Sequence, residues 1–133
     1  MGTTREFLAN AVQAVPLNQP IVFDNVGTGV FTLRGGKSYQ ITYNGNIALP
    51  TGATVVPIAV AVTVNGEARP TSRAIFPATA VDEYGNVTST AIVAVPCGCC
   101  FTCSVRAVSG TDDPTVTPAP IINVQNSNLV IKS

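Results

Sequence analysis

Four cysteines fall within seven positions: Cys97, Cys99, Cys100 and Cys103. By number alone such a run offers enough soft ligands for zinc or an iron–sulfur cluster. Its spacing differs from a zinc ribbon, whose two knuckles are separated by a longer span. If the run continues into a strand, alternate residues share a face. Cys99 and Cys103 then lie with Phe101, and Cys100 lies opposite, so four thiolates cannot converge on one ion within one subunit. A disulfide between neighbours on one strand face is restricted by its geometry. Three states remain open: buried free thiols acting as small hydrophobes, disulfides within or between subunits, and metal ligation. In each, the four cysteines read as structural thiols. A nucleophilic cysteine needs a base or a cation beside it. The chain has no histidine, and the cation nearest in sequence, Arg106, shares strand parity only with Cys100.

The absence of histidine also removes Ser-His and Cys-His nucleophile pairs. Asp82-Glu83 and Asp112-Asp113 are the only paired carboxylates among seven acidic residues. Adjacent residues on a strand point to opposite faces, so these pairs read as solvated loop charges. Asp24, Asp82, Glu83, Asp112 and Asp113 are possible calcium donors, but calcium takes six to eight oxygens and no loop carries the matching spacing. Gly27-Thr28-Gly29 is not followed by a lysine or a helical pattern and is no phosphate loop. A Cys-x-x-Cys redox site would need a βαβ context. No catalytic residue, cofactor or metal site is expected, and the chain reads as a non-enzyme.

The elements that would position such residues are short strands. The 133 residues amount to one domain. Gly, Pro and Asn punctuate the chain every 8–12 residues or so, as in a sandwich, jelly roll or barrel. Expected strands are Pro20–Phe23, Gly29–Leu33, Ser38–Tyr43, Val56–Val64, Asn86–Val95, Phe101–Val108, Ile121–Val124 and Leu129–Ile131. Asn44-Gly45 is a turn signal, and Asn65-Gly66 is a stronger one from which Glu67–Ile75 returns. Thr3–Val12 could form one short helix, capped by Thr3 or Thr4. Ser109–Pro120, rich in Thr, Pro and Asp, reads as a surface loop.

Composition constrains the surface. Hydrophobic residues make up 46% of the chain and charged residues only 11%, against about 25% charged in ordinary soluble domains. The apolar surplus calls for a subunit interface. No stretch reaches the roughly 18 apolar residues of a spanning helix. Seven basic and seven acidic residues cancel, without a basic cluster, which argues against nucleic-acid or anionic-membrane partners. Met1–Ala14 has no signal-peptide pattern, so synthesis in the cytoplasm is expected.

Four segments resemble the C1q/TNF-like jelly roll, in particular the C-terminal domains of collagen-like bacterial exosporium glycoproteins. They are Gly36–Tyr43, the strand and hairpin Ile58–Gly66, the turn Ala94–Gly98, and the closing strand Val124–Ile131. Compact versions with Cys-Cys after the Pro-x-Gly turn are similar to small proteins of phages and prophages of gut Firmicutes. The resemblance spans about Pro16 to Lys132. No collagen-like stalk precedes it, and the cysteine cluster is not a feature of the wider family. It implies an all-β, single-domain jelly-roll sandwich that packs as a homotrimer, with one sheet against the three-fold axis. Tyr39, Tyr43, Val60, Val62 and Phe101 are the candidate interface residues.

Residues 1–20 are expected to be an attachment arm, dispensable for folding, and residues 21–133 the jelly roll. The function implied is structural: a trimeric phage virion component of the capsid-decoration or head-fibre type. Its partners would be copies of itself and a capsid or other particle protein, bound through residues 1–20, and it would sit at the virion surface. The alternative is a receptor- or glycan-binding tip of a tail or spore-surface filament. The scarcity of aromatic residues, 6% with no Trp, leans away from it.

Overall fold

The computed structural model describes residues 4–9, 13–22, 29–117 and 120–133. Its elements are β1 (Thr4–Ala9), β2 (Gln13–Pro16), β3 (Val30–Arg34), β4 (Lys37–Ala48), β5 (Ile58–Val64), β6 (Glu67–Ala68), a 3-10 turn η1 (Pro70–Ser72), β7 (Ala74–Phe76), β8 (Gly85–Val95), β9 (Cys100–Ser109) and β10 (Ile121–Lys132). They form two sheets. In sheet A, β10 pairs with β1 and β2 on one side and with β4 on the other, and β4 pairs with β8. In sheet B the order is β3, β9, β5, with β6 and β7 both on β5. Every ladder between these strands is antiparallel. This is the expected all-β jelly-roll sandwich.

Period-2 patterning makes the core. Ile41, Tyr43 and Ile47 of β4, with Val124 and Leu129 of β10, face inward from sheet A. Val60 and Val62 of β5, Val105 of β9 and Leu33 of β3 meet them from sheet B. Burying each large apolar side chain contributes roughly 1.5–3 kcal/mol before conformational entropy is subtracted. All seven residues of β5 are buried, its small and apolar side chains fitting both faces of the sheet.

Several local expectations give way to long-range pairing. The helix expected at Thr3–Val12 is strand β1, in register with Ala9 through Thr4 against Ser127 through Lys132. Pairing with β10 outweighs the weak local helix preference. The segment assigned as a separate arm therefore supplies two strands, and Val15 of β2 is buried in the core. Asn44-Gly45 is not a turn but the middle of β4. The two closing strands are one, β10, interrupted by a bulge between Gln125 and Ser127. Asn126 there has φ +27°. The extra residue re-aims Ser127 into the core. Of the strand expected at Pro20–Phe23, Pro20 bridges Arg106 and Ile21 N–H donates to Val105 O, while Phe23 lies outside the described residues.

Asn65-Gly66 does form the hairpin turn, both residues having positive φ, and β6 returns from it. Pro70 then breaks the return, because proline cannot donate to a ladder. The gap beside Val62 is filled by the buried Ser72 side chain. Its hydroxyl accepts from Val62 N–H and donates to Arg69 O. Ser89 donates to Ser72 O from sheet A. One buried serine thus replaces a missing strand partner and ties η1 to both sheets.

Candidate functional site

Three of the five residues expected at a subunit interface are spent inside the subunit. Tyr43, Val60 and Val62 are fully buried between the sheets. Tyr39 and Phe101 pack partly buried against the same core. Tyr39 Oη also donates to Arg34 O. The odd-numbered parity of β4 is therefore the inner one, and an interface on sheet A must use the even-numbered parity, which the sequence left undecided.

Across β4 and β8 that outer face carries no charge, and at its β10 end Lys132 stands opposite Gln40. On β4 it carries Gln40, Thr42, Asn44 and Asn46, and on β8 Asn86, Thr88, Thr90 and Ile92. Register sets Thr42 opposite Thr90, Asn44 opposite Thr88 and Asn46 opposite Asn86. On the other side of β4, Val130 faces Thr42 and Asn128 faces Asn44. Asn86 Nδ2 donates to Asn44 Oδ1 at 2.8 Å and to Asn46 Oδ1 at 3.3 Å. Amides and hydroxyls thus bridge the two strands without a single ionised group. Ile92 is 74% exposed, the most exposed large hydrophobic side chain among the described residues. The outer face of sheet B differs, because Arg34 and Arg106 project from it. The alternation of polar residues in Asn86–Thr90 was the available signal for the sheet A face, but nothing in it says which parity faces solvent.

The cysteines separate into two environments. Cys103 is buried, opposite Phe31 on β3 and Val64 on β5. Burial pushes its thiol from an ordinary 9.0 to about 11, so at neutral pH it is a protonated small hydrophobe. Cys97, Cys99 and Cys100 are exposed, which corrects the reading of the cluster as buried thiols. The β8–β9 turn lifts Cys97 and Cys99 off the core, closed by Cys99 N–H donating to Pro96 O, with Gly98 at φ +82°, and Cys100 begins β9 on its outer parity. Cys100 sits opposite Arg34 across the β3–β9 ladder, a cation that sequence proximity did not reveal.

The loop carboxylates are dispersed. Asp82 accepts from Thr51, and Glu83 from Thr79. Asp113 accepts from Thr115 N–H and Oγ1, which lowers its pKa. Asp112 accepts both guanidinium nitrogens of Arg73, which holds its carboxyl below the usual range. Asp24 lies outside the described residues. Among those described, no three of His, Cys, Asp and Glu come together in a way that would hold a metal ion.

No protein-family model matches the chain, and no curated protein matches it in sequence. Among solved structures, the globular domain of zebrafish complement 1qA protein is similar with a TM-score of 0.61 at 11% identity, covering 97% of this chain and 93% of that one. The structure of Eiger TNF from S. frugiperda is similar with a TM-score of 0.64 at 10% identity, covering 99% of this chain and 92% of that one. At such identity the likeness speaks to fold alone, and with the strand order above it makes this protein a single-domain C1q/TNF-like jelly roll.

Proposed function

We propose that the protein is a non-enzymatic structural module that assembles as a homotrimer through the outer face of sheet A. The observation that carries this reading is the β4–β8 part of the sheet A face: uncharged, and bearing the exposed Ile92. The β4–β8 part of the face, of amides, hydroxyls and one large aliphatic group, can be buried against copies of itself without desolvating ions, the costly step in covering a charged surface. The family resemblance implies the same three-fold packing of one sheet. The particle we assign is a phage virion, with the trimer as a capsid decoration or head fibre at its surface. Residues 1–20 are the segment assigned to the capsid contact, since β1 and β2 run along the sheet A edge beyond β10.

Sedimentation equilibrium tests the assembly. We expect one species of three times the 13.7 kDa protomer. Thr90→Arg, which places a cation on every copy of the face, should dissociate it while leaving the β-sheet circular dichroism unchanged. A wild-type monomer at micromolar concentration, or a trimer indifferent to Thr90→Arg, would overturn the reading.

A further inference from the structure

The outer face of sheet B holds a feature that self-assembly does not use. Central strand β5 turns Ala59 and Ala61 outward, while its neighbour β9 turns Arg106 and Val108 outward beside them. Small side chains flanked by large ones leave a depression of about 310 Å³ over Ala61. Ala61, Arg69, Arg73, Val108, Thr111 and Asp112 are among the residues that line it, with Arg73 and Asp112 in direct contact.

The backbone of the two arginines is held in place. They flank η1, whose buried Ser72 is bonded to Val62, Arg69 and Ser89. Arg69 N–H donates to Val62 O at 2.9 Å, and Arg73 N–H to Pro70 O. Such pinning fixes the backbone from which both side chains reach the depression. Arg73 is neutralised by its bidentate pairing with Asp112 at 2.8 and 3.0 Å. The Arg69 guanidinium has no side-chain partner among the described residues. The depression therefore carries one positive charge without a side-chain partner, apolar lining from Val108, Ala68 and Pro70, and the paired Asp112 carboxylate beside Thr111.

We propose that this depression binds a sugar acid, specifically a single hexuronate ring. Its carboxylate pairs with Arg69, its C–H face rests on Val108 and Pro70, and its hydroxyls donate to the remaining lone pairs of Asp112. The volume lies at the lower end of ligand sites, roughly 300–1,000 Å³, and so suits one ring. A neutral sugar leaves Arg69 uncompensated. A sulfate or phosphate brings two charges to a site offering one and makes no use of the apolar lining. The inference does not rest on trimer formation, because the depression lies on the sheet opposite the proposed interface.

The test is a titration of the full chain, at constant ionic strength, with D-glucuronate, D-glucose and sodium sulfate, followed by amide NMR shifts. Glucuronate should saturate and move the signals of Ala61, Arg69 and Val108, with glucose and sulfate each at least about tenfold weaker. Arg69→Gln should weaken glucuronate roughly tenfold, the loss of one charge-assisted contact, with melting unchanged. Ala61→Leu should fill the depression and abolish the shifts; if that variant does not fold, Arg69→Gln decides. No saturable shift with glucuronate, equal binding of glucose or sulfate, or equal affinity in Arg69→Gln would each overturn the proposal.

Discussion

Tyr43 is the largest fully buried side chain of the described residues, and it explains a glycine that looks like a turn. A Cβ on Gly45 would lie 2.5 Å from the Tyr43 hydroxyl oxygen and 3.0 Å from Ser127 Cβ. Gly45 therefore makes room for the phenol and the facing Ser127, and Asn44-Gly45 continues the strand. Gly45→Ala should destabilise the fold by about 1–3 kcal/mol, the usual cost of overpacking, measured by denaturant unfolding. The thiols divide just as sharply. A thiol reagent at neutral pH should titrate Cys97, Cys99 and Cys100 in the native protein and reach Cys103 only on unfolding. Cys103 has a raised pKa in the folded state, so its folded form holds the proton more tightly. Its contribution is complete below the ordinary pKa of 9.0 and is lost as pH rises through about 11. Tyr43, whose phenol is pushed up by burial, acts with the same sign at still higher pH. Alkaline unfolding should therefore be partly relieved by Cys103→Ala relative to its own neutral-pH stability, seen as a flatter stability curve between about pH 9 and 11.

Among the elements, the break in the edge of β5 is the informative one. Asn65-Gly66 and Pro70 are visible signals, and together they begin a hairpin and end it early. What fills the gap is Ser72, whose residue type carries no such signal. Ser72→Ala should leave Val62 N–H without its partner. It should cost roughly 1–3 kcal/mol, the penalty for an unsatisfied buried donor, with faster amide exchange at Val62. The N-terminal strands make a second case. Deleting residues 1–20 removes both partners of one side of β10 and uncovers the core beside Val15. Loss of cooperative thermal unfolding is the expected result, in place of a folded body without its arm.

For the whole molecule, the low charge density and zero net charge bear on association more than on fold. If the folded state is the trimer, its melting temperature should rise with protein concentration, by mass action. Scanning calorimetry over a hundredfold concentration range would show this, and a constant melting temperature would point to a monomer. The same measurement on Thr90→Arg should be concentration-independent. On the opposite sheet, the paired Arg73 and Asp112 tether the 110–117 loop through a fully exposed carboxylate. The Asp112 pKa is lowered in the folded state, so this tether is present above the ordinary carboxylate range and is lost as pH falls below it.

Patterning by itself determined the class of this protein. Alternation in Ser38–Tyr43, the doubly apolar run of β5, and the spacing of turn residues point to an all-β sandwich, jelly roll or barrel, because a period-2 apolar set is buried on one face of a sheet. The same residues mark Asn65-Gly66 as a hairpin. Which side of each strand faces solvent was not in the pattern, since alternation defines two faces without naming the inner one. Only the packing of sheet A on sheet B assigned Tyr43, Val60 and Val62 to the interior and left the uncharged Thr and Asn rows outside. Residues far apart in sequence were likewise beyond local reading. Thr4–Ala9 becomes a strand because β10 lies beside it, Cys100 meets Arg34 across a ladder, and Arg69, Arg73 and Asp112 gather around Ala61 only once β5 is in place. Contacts over such separations are set by the cooperative closure of the whole sandwich, which no local propensity encodes.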